Sequence, residues 1–299
     1  MVVPLELPAL TIFFKNGEQW EVDDPLKVPN ALSAKPSQPT SLALINYKEG
    51  SVAKISRRDQ YEVIIIHKFN EVVGLIWPDP NQLSEAQNTI HQGDLTRGLA
   101  ILDASLKAIE PWPRTPGSWW LKANLLKLSA LEKLQDPQRL ERGIFDLAKH
   151  DDGNLPTLTM SLSVAHLTLL NCQGDPQASL KGAEILLPKL SNPDDIARVN
   201  FCQGQANLLL KNYEAALSFF LRISAFQGAR SEQYAQVLLG IVRALRGLEN
   251  PAIKDGKIHA ITEHYLRRII SECPLSAEAA IAQPLLNQES ISVKPIPKI

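Results

Sequence analysis

Apolar and polar positions alternate along most of the chain between Leu10 and Trp77. The apolar runs are short and rich in β-branched and aromatic residues, which suit a half-buried pleated surface. Asn16-Gly17 separates the first two runs and is a strong hairpin signal, because both residues tolerate positive φ. We therefore predict three successive hairpins, over residues 10–14 with 19–22, 41–47 with 51–55, and 61–67 with 71–77.

Pro78 and Pro80 mark a change in the hydrophobic period from two to about 3.6, which indicates amphipathic helices. Eleven helical segments follow almost to the end of the chain. Pro295 and Pro297 favour an extended tail after them. The predicted helices cover residues 81–92, 95–109, 117–134, 137–149, 156–172, 176–190, 193–211, 213–225, 230–248, 257–272 and 276–287.

Short helices in pairs are typical of helical repeats, so internal spacing is informative. The clearest unit spans residues 200–220, with Gly204 in its first helix and Ala216 and Phe220 in its second. Two helices approach closely only over small residues, and a large ring fills the groove beside them. This unit resembles a tetratricopeptide repeat (TPR). The resemblance implies helical hairpins stacked into a solenoid with a concave binding surface.

A second unit repeats the same spacing with Ala86, Gly98 and Leu102 and ends at Pro111. Farther along, residues 274–282 read PLSAEAAIA, a pattern similar to bacterial TPR proteins of the cell envelope. The resemblance therefore covers about two thirds of the chain and implies that it takes part in protein–protein interactions.

These patterns predict an α+β fold that is mainly α. Residues 1–77 would form a small β sandwich or partly open barrel. Residues 78–289 would form a TPR-like α-solenoid of about five helical hairpins, and residues 290–299 an extended tail.

Composition narrows the possible functions. The 299 residues include 31 Lys and Arg against 32 Asp and Glu, so the formal net charge of -1 provides no general attraction to nucleic acid. The longest apolar runs are far shorter than the roughly 20 residues that a membrane span requires. The first residues carry no basic n-region, so we expect no signal peptide. The compartment stays open: periplasmic or envelope if a leader was removed, otherwise cytoplasmic.

Motifs of cofactor, metal and catalytic sites are missing from the sequence. The three cysteines are scattered and form no CxxC or CxxH, and no HExxH is present. His259 and His264 are five residues apart, which does not place them on one helical face. GxSxG, GxxxxGK[ST] and GxGxxG are absent as well. We therefore expect no cofactor, no metal and no catalytic activity.

The resemblance instead directs attention to first-helix positions that would face a concave surface, where a protein or peptide partner would bind. A cluster of tryptophans between prolines is a second candidate, because Trp is a frequent binding hot spot. The preferred interpretation of this cluster is packing at the junction between two hairpins, or between the β domain and the solenoid, because Trp usually buries much of its area. Homo-oligomers are possible. The candidate partner-binding residues are Gln203, Asn207, Gln236, Arg243, Trp112 and Trp120.

Two alternatives remain. The chain could be a structural subunit of a larger bacterial envelope or secretion assembly, which exposed apolar patches on the convex side would favour. Less favoured is an enzyme that uses the N-terminal β domain. The titratable residues that cluster there in the sequence are Asp59, Tyr61, Glu62 and His67.

Overall fold

A computed structural model gives the architecture of the chain: mainly helical, with a small N-terminal β region. The chain divides into two compact units. The first comprises residues 1–90 and 96–127, and the second residues 91–95 and 128–299. The predicted boundaries at 77/78 and 289/290 do not coincide with this division and stay predictions. The structure describes residues 9–22, 42–46, 50–58, 61–109, 115, 117–227, 233–249 and 256–292.

Six strands form two antiparallel sheets of three strands each in the described part of the first unit. Their orders are β2-β1-β6 and β3-β4-β5, and they close no barrel there. Side chains alternate as predicted: between buried and partly buried along β1, and between exposed and buried along β2, with Ile12 and Trp20 in the core. The strands are β1 (Leu10–Phe14), β2 (Gln19–Val22), β3 (Leu42–Asn46), β4 (Ser51–Arg58), β5 (Tyr61–Lys68) and β6 (Val72–Ile76).

The third predicted hairpin is wrong. β1 pairs with β2 and β3 with β4 as expected, but β5 pairs with β4 while β6 pairs with β1. A 3-10 turn over Phe69–Glu71 separates β5 from β6. There the N–H of Phe69 donates to the Gly50 carbonyl at 2.9 Å, and the N–H of Lys15 donates to the Glu71 carbonyl at 2.9 Å. The turn thus ends one sheet and starts the last strand of the other.

All eleven predicted helices are confirmed in the described residues. Prolines at their first positions and side-chain caps fix several starts; Asp136, for example, accepts bonds from the Gln138 and Arg139 N–H groups. The helices are α1 (Asn81–His91), α2 (Leu95–Ile109), α3 (Trp120–Leu134), α4 (Pro137–Ala148), α5 (Pro156–Cys172), α6 (Pro176–Leu186), α7 (Pro193–Leu209), α8 (Tyr213–Gln227), α9 (Tyr234–Leu248), α10 (Gly256–Glu272) and α11 (Ala277–Ser292).

Helices of the second unit pack against their neighbours in the chain from α4 to α11. In addition, α5 packs on α7, α7 on α9 and α9 on α11, so the odd-numbered helices form a row of their own. α11 continues to Ser292, so its last residues fall within the predicted tail, and residues 293–299 lie outside the described part.

The ring of Phe220 in α8 holds this packing together at its centre. It is 1% exposed and lies against the two glycines Gly204 in α7 and Gly240 in α9. A Cβ atom at either glycine would lie 2.7 Å from a Phe220 ring atom. Ala216, one turn earlier in α8, is fully buried as well. Three consecutive helices therefore meet on one aromatic ring.

Replacing Phe220 by Ala should lower the free energy of unfolding by about 3–5 kcal/mol, because the ring leaves a cavity that three helices cannot all close. Phe226 lies on the same helix but is 85% exposed, so Phe226→Ala is the matched control and should change it by less than about 0.5 kcal/mol. Urea denaturation followed by circular dichroism measures both. Equal losses in the two variants would contradict the central role of Phe220.

Candidate functional site

A cavity of about 350 Å³ lies in the second unit, at the C-terminal ends of α5 and α7. Amide, thiol, phenol and guanidinium groups share its wall with leucine side chains. The lining comes from residues of α5, α7, the start of α8 and α9, and from one residue after α3. The lining residues are Gln135, Asn171, Cys172, Gln205, Leu208, Leu209, Tyr213 and Arg243.

Hydrogen bonds and close packing fix the wall of this cavity. The Asn171 Nδ2 donates to the Cys202 carbonyl at 3.0 Å, which ties the end of α5 to α7. At the turn from α7 to α8, Lys211 adopts a left-handed conformation with a φ of 61°. The Tyr213 ring then packs so closely on Gly247 of α9 that a Cβ there would overlap it.

Arg243 supplies the cavity's cationic group. It is exposed, and no described residue forms an ion pair with it. Leu209, which is 52% exposed, provides an apolar surface in the same wall. A guanidinium group offers five donors that match a carboxylate. The site can therefore hold a segment that presents a carboxylate or carbonyl oxygens together with an apolar group.

Cys172 in this wall is a poor nucleophile, because burial raises the pKa of its thiol. Burial also raises the pKa of the neighbouring α7 thiol, Cys202, to about 12. Both cysteines therefore stay protonated near neutral pH.

A buried ion pair lies two helical turns before Gln205 on α7. Arg198 Nη2 lies 2.7 Å from Glu132 Oε1 of α3, and Arg198 Nη1 lies 3.4 Å from the Ser161 hydroxyl of α5. The Glu132 side chain is 4% exposed and that of Arg198 23%. Burial opposes the charged guanidinium, but the Glu132 carboxylate outweighs it, so the pKa of Arg198 is raised. The pair joins three odd-numbered helices.

The structure brings one predicted contact residue, Arg243, into the cavity. Gln203 and Asn207 are each 6% exposed, and Asn207 Nδ2 donates to the Gln203 carbonyl at 2.8 Å. Gln236 is half-buried on α9, two turns before Arg243. As partner contacts, these four residues stay predictions.

The two predicted tryptophans lie elsewhere. Trp120 is 5% exposed and belongs to the first unit, whereas Trp112 lies outside the described residues. Sequence reasoning missed Gln205, Leu209 and Tyr213. Gln205 and Leu209 follow Arg198 by seven and eleven residues, and this spacing places Arg198, Gln205 and Leu209 on one face of α7. It is the sequence signal that could have identified Gln205 and Leu209.

A second cluster of charged groups surrounds His67 in the first unit. Its Nδ1 lies 2.6 Å from Glu71 Oε2, and its Nε2 lies 3.0 Å from Glu18 Oε2. The imidazole stacks on Phe14 with a centroid distance of 4.4 Å and lies 4.8 Å from the Trp20 ring. Two carboxylate partners require both ring nitrogens to donate, so the geometry is that of an imidazolium ion.

The enzyme alternative grouped His67 with Asp59, Tyr61 and Glu62. Asp59 and the side chains of Tyr61 and Glu62 lie outside the described part. The observed partners of His67 instead come from the β1–β2 hairpin and the turn after β5. Lys54 of the second sheet also approaches this cluster; its Nζ lies 5.7 Å from the Trp20 ring centroid.

The described residues contain no group of three or more metal-ligating side chains, and none of their helices is both long and apolar enough to cross a bilayer. Comparison with known proteins adds no relative: no protein-family model matches the chain, and no curated protein matches it significantly.

Replacing Arg198 by Met should cost about 3 kcal/mol of unfolding free energy, because the buried Glu132 carboxylate would lose the guanidinium group that lies 2.7 Å from it. The control Arg139→Met removes an exposed cation from α4 and should change little. The double variant Glu132→Leu, Arg198→Met should be more stable than Arg198→Met alone. The midpoints of urea denaturation measure these differences. A double variant less stable than Arg198→Met would contradict an energetic coupling between Arg198 and Glu132.

The pKa of His67 should lie above its ordinary value of about 6.5, because burial is outweighed by hydrogen bonds to Glu71 and Glu18. The same contact with His67 lowers the pKa of Glu18. The stabilisation by His67 is thus complete below about pH 6.5 and disappears as the pH rises through its folded pKa. The stabilisation by the Glu18 carboxylate is lost as the pH falls through the lowered pKa of Glu18.

An NMR titration of the His67 ring protons measures this value directly. Glu18→Gln should shift it downward by removing one carboxylate. Exposed Glu21→Gln on β2 is the control and should leave it unchanged. A His67 pKa at or below about 6.5 in the unaltered protein would contradict the assignment.

Proposed function

We propose that the protein is a non-enzymatic adaptor that binds a protein or peptide segment on the face formed by the odd-numbered helices of its second unit. The row of α5, α7, α9 and α11 supports this, since alternate helices pack on one another in helical-repeat proteins. In this proposal the helical part is a TPR-like solenoid. Buried Gly204, Ala216 and Phe220 support it, because they occupy the positions expected of that repeat.

The N-terminal sheets form a small sandwich in this proposal. Phe14 and Trp20 of the first sheet contact His67 of the second. These contacts support face-to-face packing of two layers. The sandwich would bind a second partner or cap the first repeat.

Arg243 is the residue on which the proposed binding site depends. It combines an exposed cation, unpaired among the described residues, with a cavity whose 350 Å³ lies within the range of about 300–1,000 Å³ usual for binding pockets. A partner segment with an Asp or Glu side chain beside an apolar residue matches Arg243 and Leu209. The amides of Gln135 and Gln205 can bond its backbone.

A structural subunit of a larger assembly is the second candidate, and a separate observation favours it. Large apolar side chains are exposed on three even-numbered helices: Phe145 on α4, Ile185 on α6 and Phe226 on α8. Such side chains mark contact surfaces when they lie near one another. In this alternative, the even-numbered helices contact the assembly and the cavity remains empty.

Affinity purification of the tagged full-length protein, followed by mass spectrometry, tests the two candidates. Arg243→Glu should weaken capture of the adaptor's partner by at least about tenfold, because it places a carboxylate against a carboxylate. Arg222→Glu, an exposed change on α8, is the matched control and should leave capture unchanged.

Phe145→Ser with Ile185→Ser tests the alternative. These changes should release the partner of a structural subunit but not that of the adaptor. Unchanged capture by Arg243→Glu would overturn the proposed site.

A further inference from the structure

β5 is an edge strand with apolar side chains exposed on both of its faces. Among the described residues only β4 pairs with it. The exposed fractions are 43% for Val63, 55% for Ile64, 39% for Ile65 and 57% for Ile66. Proteins usually protect such edges with charges, prolines, bulges or short strands, because an open apolar edge pairs with another strand.

The corresponding edge of the first sheet is protected. β6 has five residues against eight in β5, and its register with β1 shifts at Phe13/Phe14. It also contains Gly74, which weakens strand pairing. None of these devices occurs at residues 63–66, so this part of β5 is open to pairing.

Hydrogen bonding inside the sheet determines which groups of β5 point outward. The register of β4 and β5 pairs Ser51 with Lys68, so Gly50 lies opposite Phe69. The Phe69 N–H donates to the Gly50 carbonyl at 2.9 Å, which makes this a hydrogen-bonded pair. Hydrogen-bonded positions recur every second residue in an antiparallel pair. Odd-numbered residues of β5 therefore bond to β4, and the N–H and C=O groups of Ile64 and Ile66 point away from the sheet.

We propose that β5 pairs antiparallel with β5 of a second copy of this chain, with the two-fold axis at Ile65. In this register, Ile64 lies opposite Ile66 of the second copy, and Ile66 lies opposite Ile64 of the second copy. The outward N–H and C=O groups of one strand thus face those of the other and can form hydrogen bonds with them. The two sheets β3-β4-β5 become one continuous sheet of six strands.

Charge complementarity favours a second copy as the occupant. In this register, position 62 of each copy pairs with position 68 of the other, and the sequence has Glu at the first and Lys at the second, so an acidic and a basic residue flank the apolar centre on each side. Shifting the register by two residues places Ile64 against Ile64 and Glu62 against Ile66, and both charge pairs are lost. A self-complementary edge of this kind produces a closed two-fold dimer.

Sedimentation velocity of the full chain over a wide range of concentration tests the proposal. The unaltered protein should be a concentration-dependent dimer. Ile64→Lys and Ile66→Glu should each raise the dissociation constant by more than about tenfold, because a charge would replace an apolar contact twice in each dimer. Leu275→Lys, a change at an apolar side chain that is 68% exposed in the turn before α11, is the control and should leave the dimer unchanged.

The double variant Ile64→Lys, Ile66→Glu should dimerise again, because the lysine introduced by the first change faces the glutamate introduced by the second in the other copy. Rescue occurs only in the proposed register, since the shifted one places the two introduced lysines against each other. A monomer at all concentrations, a dimer insensitive to Ile64→Lys, or a double variant that stays monomeric would each overturn the proposal.

Amide hydrogen exchange provides a measurement that needs no variant. The amides of Val63 and Ile65 should be protected at every concentration, because they bond to β4. Those of Ile64 and Ile66 should become protected only where the dimer forms. Fast exchange of Ile64 and Ile66 at the highest concentrations would overturn the proposal as well.

Discussion

The contact of one aromatic ring with two glycines sets the geometry on which the second unit depends. Because Phe220 occupies the space that Cβ atoms would need at Gly204 and Gly240, α7 and α9 both approach α8 to within ring contact. α7 and α9 also supply Gln205, Leu209 and Arg243 to the cavity wall. The chemistry that we assign to the site thus depends on a buried contact between Phe220 and the glycines opposite it.

Much of the fold could be predicted from the sequence because its signals are local. Helix period, prolines at first positions and caps such as Asp136 act within a few residues, and all eleven helices followed from them. Strand pairing is different. The turn after β5 has the composition of a hairpin turn, but β6 pairs with β1, about 60 residues away. No local pattern distinguishes these two partners for β6.

The site could be predicted only in part, for a related reason. Repeat spacing identified Arg243, whereas Gln203 and Asn207 lie on the same helix as Gln205 and are buried. Gln205 lies on a different face of α7 from Gln203 and Asn207. Which face lines the cavity depends on how the neighbouring helices pack, and the sequence alone does not show that. Tyr213 reaches the cavity because it packs on Gly247 of another helix. The two carboxylates that bind His67 are likewise brought together by the tertiary fold.

The pairing of β1 with β6 affects how the chain is made. β1 and β2 leave the ribosome early, but a two-stranded ribbon is marginally stable in water until a third strand joins it. That strand is β6, so the first sheet forms only after the whole of the second sheet has been synthesised. The N-terminal region therefore cannot fold progressively from its start. β1 and β2 cannot complete their sheet before β6 is available. Pairing between strands far apart in the sequence is a slow step of folding.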